Sequence, residues 1–90
     1  MAAKPSLNDA QILVVDDEPD LRTLYELALV REGYNVLGVG TLEDAWQHLA
    51  ERRFDVVITD MRLPDGLGIG LLHRLREQHR TERCVAQRQI

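Results

Sequence analysis

A single cysteine, Cys84, is all that the 90 residues offer. It has no partner for an internal disulfide and no companion cysteines for a thiolate zinc site, so it reads as a small apolar filler. Long apolar runs are also missing. None approaches the roughly 18 residues that a membrane span needs, and the opening "MAAKPSLNDA" lacks the apolar core of a signal peptide. Neither a membrane nor secretion is expected, and the cytoplasm is the expected compartment. Aromatic residues are scarce, at 4% of the chain, and none accompanies the arginines of "HRLREQHR". Without a stacking platform that segment reads as a solvated helix face, and direct nucleic-acid contact is not expected.

What is present is enough for one small domain. Hydrophobic residues make up 44% of the chain, but a chain this short buries only about 60% of its unfolded surface, which predicts marginal stability. The net charge of -4 is uneven: residues 1–60 hold five basic and twelve acidic groups, and residues 61–90 hold six basic and three acidic. The negative charge is densest in "ILVVDDEPD", where four apolar residues run directly into four carboxylates.

The apolar pattern divides the chain into alternating units. Residues 1–10 read as a flexible tail. "QILVV" is a continuous apolar run, the mark of a strand buried on both faces. After it, Pro19 suits a first helical turn, Leu21, Leu24, Tyr25 and Ala28 fall at helical spacing, and Gly33 is a natural terminator. "YNVLGVG" reads as a second strand. Thr41 and Asp44 then form a capping box for a helix with Leu42, Ala45, Trp46, Leu49 and Ala50 on one face, where Trp46 is expected in the core. "FDVVIT" is a third strand ending at Asp60. "MRLPDGLG" carries turn chemistry at Pro64, Asp65 and Gly66, and Leu67, Leu71, Leu72 and Leu75 mark a third helix whose first turns Gly68 and Gly70 weaken. Cys84, Val85 and Ala86 begin like a fourth strand that Gln87, Arg88 and Gln89 abandon, so the domain is expected over residues 11–86 with a polar tail at 87–90.

Alternating strands and helices imply an α/β fold, a parallel sheet with helices on both faces, and ligands in such sheets bind beyond the carboxyl ends of the strands. Asp16 and Asp17 close the first strand and Asp60 closes the third. If those strands are neighbours, three carboxylates share one small site. Like charges that close raise one another's pKa and repel, so a cation or proton is needed to hold them together. Mg²⁺ fits, because it takes oxygen ligands and keeps several waters. It would also neutralise charge on a transferring phosphoryl group while one carboxylate acts as nucleophile. Each acid alone has a plainer account, since acidic residues favour a helix start and an Asp often opens a turn. The convergence of all three is what favours a metal site. His48, His73 and His79 share no helical face and are expected to be exposed rather than ligands.

The segments "ILVVDDEPDLRTLYELALVREGY" and "FDVVITDMRLPDGLGIGLLHRLRE" resemble the receiver domain of bacterial two-component response regulators, over about residues 10 to 84. The wording "TDMRLPDG" is similar to receivers attached to sigma-54-dependent transcriptional activators. The resemblance implies a flavodoxin-like fold, and a phosphoryl group taken from a sensor histidine kinase onto Asp60. It implies that Asp16 and Asp17 organise Mg²⁺, with Asp17 and Asp60 as direct ligands and the backbone carbonyl of Arg62 as a third. Glu18 and Asp20 match no such role and read as helix-start charges. An output or effector domain is the implied second partner.

Against the family's five strand and helix units, the chain reads as three units and the start of a fourth. The family's switch Ser or Thr after the fourth strand and its Lys after the fifth have no match, and the chain's one lysine is Lys4. A cut piece, a truncated gene product and a divergent end all fit. The leading expectation is a phosphoacceptor module and not an enzyme. A phosphorylation-independent interaction module, or an inactive truncated receiver, is the alternative, and a hydrolase working through an aspartyl phosphate is the weakest reading, for want of an acid or base and a substrate pocket. The open edge around Arg83 to Ala86 predicts a homodimer or partial unfolding.

Overall fold

The computed structural model describes residues 10–78 and, for its last strand, residues 83–87 as backbone. Four strands, β1 (Gln11–Val15), β2 (Asn35–Val39), β3 (Val56–Asp60) and β6 (Arg83–Gln87), form one parallel sheet in the order β2-β1-β3-β6. Three helices carry the chain between them: α1 (Pro19–Arg31), α2 (Leu42–Glu51) and α3 (Ile69–Glu77). A two-residue antiparallel hairpin, β4 (Arg62–Leu63) with β5 (Gly66–Leu67), stands between β3 and α3. This is the expected α/β architecture. The chain leaves β1 toward β2 on one side and returns to β3 on the other, and right-handed crossovers then place α1 on one face and α2 and α3 on the opposite one.

Strand alternation sorts the side chains accordingly. Leu13 and Val15 of β1 and Val57 of β3 join Val39, Ala45, Leu49, Phe54, Leu63, Leu71 and Leu75 in one buried cluster, the core under α2 and α3. Trp46 is half-buried at its margin, with the Arg74 guanidinium 4.3 Å from the ring centre. Val14 and Gly38, paired in register, face α1 instead.

Local chemistry explains where the helices start and stop. Pro19 opens α1, where its missing N–H leaves one orphan donor fewer, and Gly33 ends it with φ 97°. The amide of Gly33 donates to Val30 O and that of Tyr34 to Leu29 O, the paired bonds of a Schellman stop. At α2 the Thr41 hydroxyl accepts from the Asp44 amide at 3.1 Å, as the capping pattern predicts. The two remaining first-turn donors, Leu42 N and Glu43 N, are taken by the Asp65 carboxylate of the distant hairpin at 2.9 and 3.0 Å.

Several expectations need correction. The face of α1 turned toward the sheet carries Arg22, Tyr25, Glu26 and Leu29, which are half-buried, whereas Leu21, Leu24 and Ala28 are exposed. Five of its thirteen residues are charged or polar, and Arg22 and Glu26 are among those on the inner face, so apolar spacing points away from the sheet. Leu67 is not in the third helix: it lies in β5, 60% exposed, and α3 begins at Ile69. Gln87 does not leave the sheet, since β6 pairs with β3 through Asp60↔Gln87. Of the expected tails at 1–10 and 87–90, residues 1–9 and 88–90 lie outside the described residues, as do Lys4, His79 and the side chain of Cys84.

Candidate functional site

The order β2-β1-β3 reverses direction between β1 and β3, and that reversal opens a crevice at their carboxyl ends. The register Val15↔Thr59 brings the residues that follow those two positions together. Asp16, Asp17 and Asp60 each place a carboxylate oxygen within 4.8 Å of the others. Asp16 and Asp60 are buried, at 1% and 3% exposure, while Asp17 faces solvent.

Asp16 is anchored on every side. Its amide donates to Val39 O at 3.0 Å, its carboxylate accepts from the Glu18 amide at 2.9 Å, and its carbonyl accepts from the Arg22 guanidinium at 2.8 Å. It holds the turn into α1 as well as contributing charge. Asp60 is the opposite. Its Oδ1 is buried and has no hydrogen-bond partner among the described residues. Burial, with the Asp16 charge next and a smaller push from Asp17, raises its pKa above the ordinary carboxylate range, and the backbone amides of Arg62 and Met61 offset only part of that.

An orphaned, buried carboxylate oxygen facing two more carboxylates is an expensive arrangement that a hard divalent cation relieves. The donor set, all oxygen and without His or Cys, suits Mg²⁺ and does not suit zinc or copper. Arg62 opens β4 two residues beyond Asp60.

Three further residues shape the site in roles that the sequence does not show. A Cβ at Gly68 would run into the Asp60 carbonyl and the Thr59 hydroxyl, and the Gly68 amide donates to Met61 O at 2.9 Å, so this glycine lets the chain double back beneath Asp60. In the sequence it reads only as a residue that weakens the first turns of the third helix. Nothing in the sequence marks Arg22 for this role. Asp65 looked like a turn residue, and its reach to α2 is a tertiary contact. A groove of about 730 Å³ between α2 and α3, edged by Leu42, Trp46, Asp65 and Arg74, lies apart, and none of the three clustered carboxylates lines it.

The response regulator receiver domain profile matches residues 12–87. The chain belongs to that family. It is 42% identical over 67 residues to the response regulator protein PilR of Pseudomonas aeruginosa, covering 74% of this chain and 15% of PilR. It is 35% identical over 71 residues to the DNA-binding transcriptional regulator NtrC of Azospirillum brasilense, covering 79% of this chain and 15% of NtrC. A solved structure of the MaeR response regulator bound to beryllium trifluoride superposes with a TM-score of 0.83 at 30% identity, over 90% of this chain and 68% of that one. The similarity thus spans about one seventh of PilR and NtrC.

Family membership shows a response-regulator receiver and a flavodoxin-like fold, with relatives that regulate transcription. It also corrects the expectation that the chain is simply not an enzyme. The receiver family consists of phosphoacceptors, whose own carboxylate enters a group transfer. Such a domain is a reactant, which neither "enzyme" in the usual sense nor "non-enzyme" describes. Among the described residues no helix is long and apolar enough to cross a membrane.

Proposed function

We propose that this chain is the phosphoacceptor module of a two-component relay, in which Asp60 takes a phosphoryl group from a sensor histidine kinase. The observation that carries this reading is the orphaned Oδ1 of Asp60 within a tight trio of carboxylates at the mouth of β1 and β3. Asp16, Asp17, Asp60 and the backbone carbonyl of Arg62 would hold Mg²⁺. When bound, the ion supplies positive charge that offsets the carboxylates and the transferring phosphoryl group.

The protein's own residues supply the rest. A carboxylate oxygen of Asp60 bonds to phosphorus as the phosphorus–nitrogen bond to the kinase histidine breaks, leaving an acyl phosphate and a free imidazole. Burial of Asp60 keeps bulk water from solvating that oxygen. Asp16, fixed by Glu18 N, Val39 O and Arg22, keeps its own position while the nucleophile reacts. An output domain is the second partner, of a transcription-regulating kind as the DNA-binding transcriptional regulator NtrC suggests, and the cytoplasm is the compartment.

The test is intact-mass spectrometry after exposure to a small phosphodonor with Mg²⁺. One added phosphoryl group in the wild type and none in Asp60→Asn is the expected result. Equal labelling of both would place the acceptor elsewhere. No labelling of a folded wild type would favour a module that binds its partners without phosphorylation.

A further inference from the structure

Thr59 directly precedes the phosphoacceptor and plays no part in the reading above. Its side chain is fully buried, and on β3 it alternates to the same face as Val57, a member of the wholly apolar core cluster. Valine is also β-branched and suits a strand equally well, so packing alone does not ask for a hydroxyl here. The hydroxyl donates to the Asp60 carbonyl at 3.0 Å.

That bond sits in a tight corner. A Cβ on Gly68 would fall 2.7 Å from the Thr59 hydroxyl oxygen and closer still to the Asp60 carbonyl oxygen, so the three groups meet with no side chain between them. The Gly68 amide takes the next carbonyl, that of Met61, at 2.9 Å. Two successive carbonyls after β3 are therefore held, the first by Thr59 and the second by Gly68. In a trans peptide the N–H points opposite to the C=O. Pinning the Asp60 carbonyl against Thr59 turns the Met61 amide to the other side, and pinning the Met61 carbonyl does the same for the Arg62 amide. The amides of Arg62 and Met61 are the two that act on the Asp60 carboxylate.

We propose that Thr59 is a positioning residue of the phosphoacceptor site: its hydroxyl clamps the Asp60 carbonyl and so aims the Met61 amide at the Asp60 carboxylate. The consequence for phosphoryl transfer rests on Asp60 being the acceptor, whereas the aiming is a property of the free domain. Thr59 acts through one peptide plane. An amide held on the carboxylate restrains its rotation about the Cβ–Cγ bond, so the nucleophile is presented in one orientation and that ordering is complete before the phosphodonor arrives.

Two substitutions separate the hydroxyl from the space it fills. Thr59→Val keeps the branched shape and removes the donor, whereas Thr59→Ser keeps the donor and removes a methyl group from the core. Hydrogen exchange of the Met61 amide, followed by NMR on the whole chain, reads the aim. The rate of phosphoryl uptake from acetyl phosphate with Mg²⁺, by intact mass, reads its consequence, and chemical denaturation separates local loosening from global unfolding. In Thr59→Val the amide should exchange about three- to tenfold faster and phosphoryl uptake should slow by about the same factor, the equivalent of one hydrogen bond, while Thr59→Ser stays within about twofold of wild type in both. Denaturation should rank the two the other way, with Thr59→Ser the less stable. A threonine that only fills space would make Thr59→Ser the worse variant in all three measurements, and that order would overturn the proposal. So would a Met61 amide as well protected in Thr59→Val as in wild type. Should Thr59→Val not fold, Thr59→Ser against Thr59→Ala makes the same comparison, because those two differ only in the hydroxyl. A folded wild type that takes no phosphoryl group would sink the phosphoacceptor reading instead, and the amide exchange would still decide whether Thr59 aims the Met61 amide.

Discussion

The two faces of the sheet are built to different ends. Under α2 and α3, ten residues are buried together and the cluster is wholly apolar. Under α1 the helix applies Arg22 and Glu26 to the sheet, fitted over Gly38 and Gly40, where a Cβ would meet their side chains. The same strand alternation that points Val56 and Ile58 away from the apolar core points Asp60 that way as well. The face under α2 and α3 holds the larger apolar core, whereas the α1 face buries Ile12 and Val14 and also carries charge, the carboxylate trio and an apolar helix surface left exposed. A domain this small has little stability to spare, so separating the two tasks lets the reactive face hold an unfavourable group.

The sharpest way to break this comparison is to truncate one leucine on each face. Leu49 is buried in the core cluster and Leu24 is exposed on α1. Leu49→Ala should cost about 2 to 5 kcal/mol, enough to unfold much of a marginal domain at 25 °C. Leu24→Ala should stay within about 0.5 kcal/mol when measured at concentrations where the chain is monomeric. Chemical denaturation of both reads the difference. Comparable losses would mean that α1 contributes to the core as much as α2 does.

A second measurement asks what the reactive face costs. Asp60 is held in a site where burial and the Asp16 charge raise its pKa. The folded state thus keeps the Asp60 proton to higher pH than the unfolded state, and the chain loses stability as pH rises through that folded pKa. Asp60→Asn removes the penalty, so without divalent cations at neutral pH it should melt several degrees higher than wild type. About 1 kcal/mol moves Tm by about 4 to 8 °C in a domain of this size. The gap should close as the medium is made acidic enough to protonate Asp60. Mg²⁺ should narrow it from the other side by stabilising wild type alone. A variant that melts lower than wild type at neutral pH would show that Asp60 contributes favourable contacts.

The sequence displayed one face better than the other, and the reason is physical. The runs "QILVV" and "FDVVIT" are apolar because the strands are covered on both sides, and carboxylates directly after them fall at the sheet's carboxyl edge whatever the helices do. The strand and helix order and the Asp16, Asp17, Asp60 cluster were therefore legible. The inner face of α1 was not. The apolar residues Leu21, Leu24, Leu27 and Ala28 lie on the exposed side, and the contacts that decide the inner face involve Arg22 and Glu26 with glycines one strand away. Leu67 stands at helical spacing from Leu71, and a two-residue strand leaves no periodic mark to distinguish it. Gly68 and Asp65 act through positions far from their own in the chain or behind it, which local pattern does not encode.

Asp65 gives the smallest effect and tests how the reactive loop is joined to the apolar face. From the hairpin after Asp60 its carboxylate accepts the amides of Leu42 and Glu43, binding the loop to the start of α2. These two amides hold its pKa below the ordinary carboxylate range. A depressed folded pKa means that the cap's contribution is complete above the unfolded value, about 3.9, and is lost as pH falls from there through the folded value. Asp65→Ala should therefore lower Tm at neutral pH, by less than Leu49→Ala does. Asp65→Asn, which retains one good acceptor, should lower it less than Asp65→Ala. In acid the wild type should fall toward the alanine variant until the two melt together. Were the deficit of Asp65→Ala the same at pH 3 as at pH 7, the aspartate would be acting through the conformation of the Pro64–Gly66 turn. The charged cap between the two faces would then have no energetic weight.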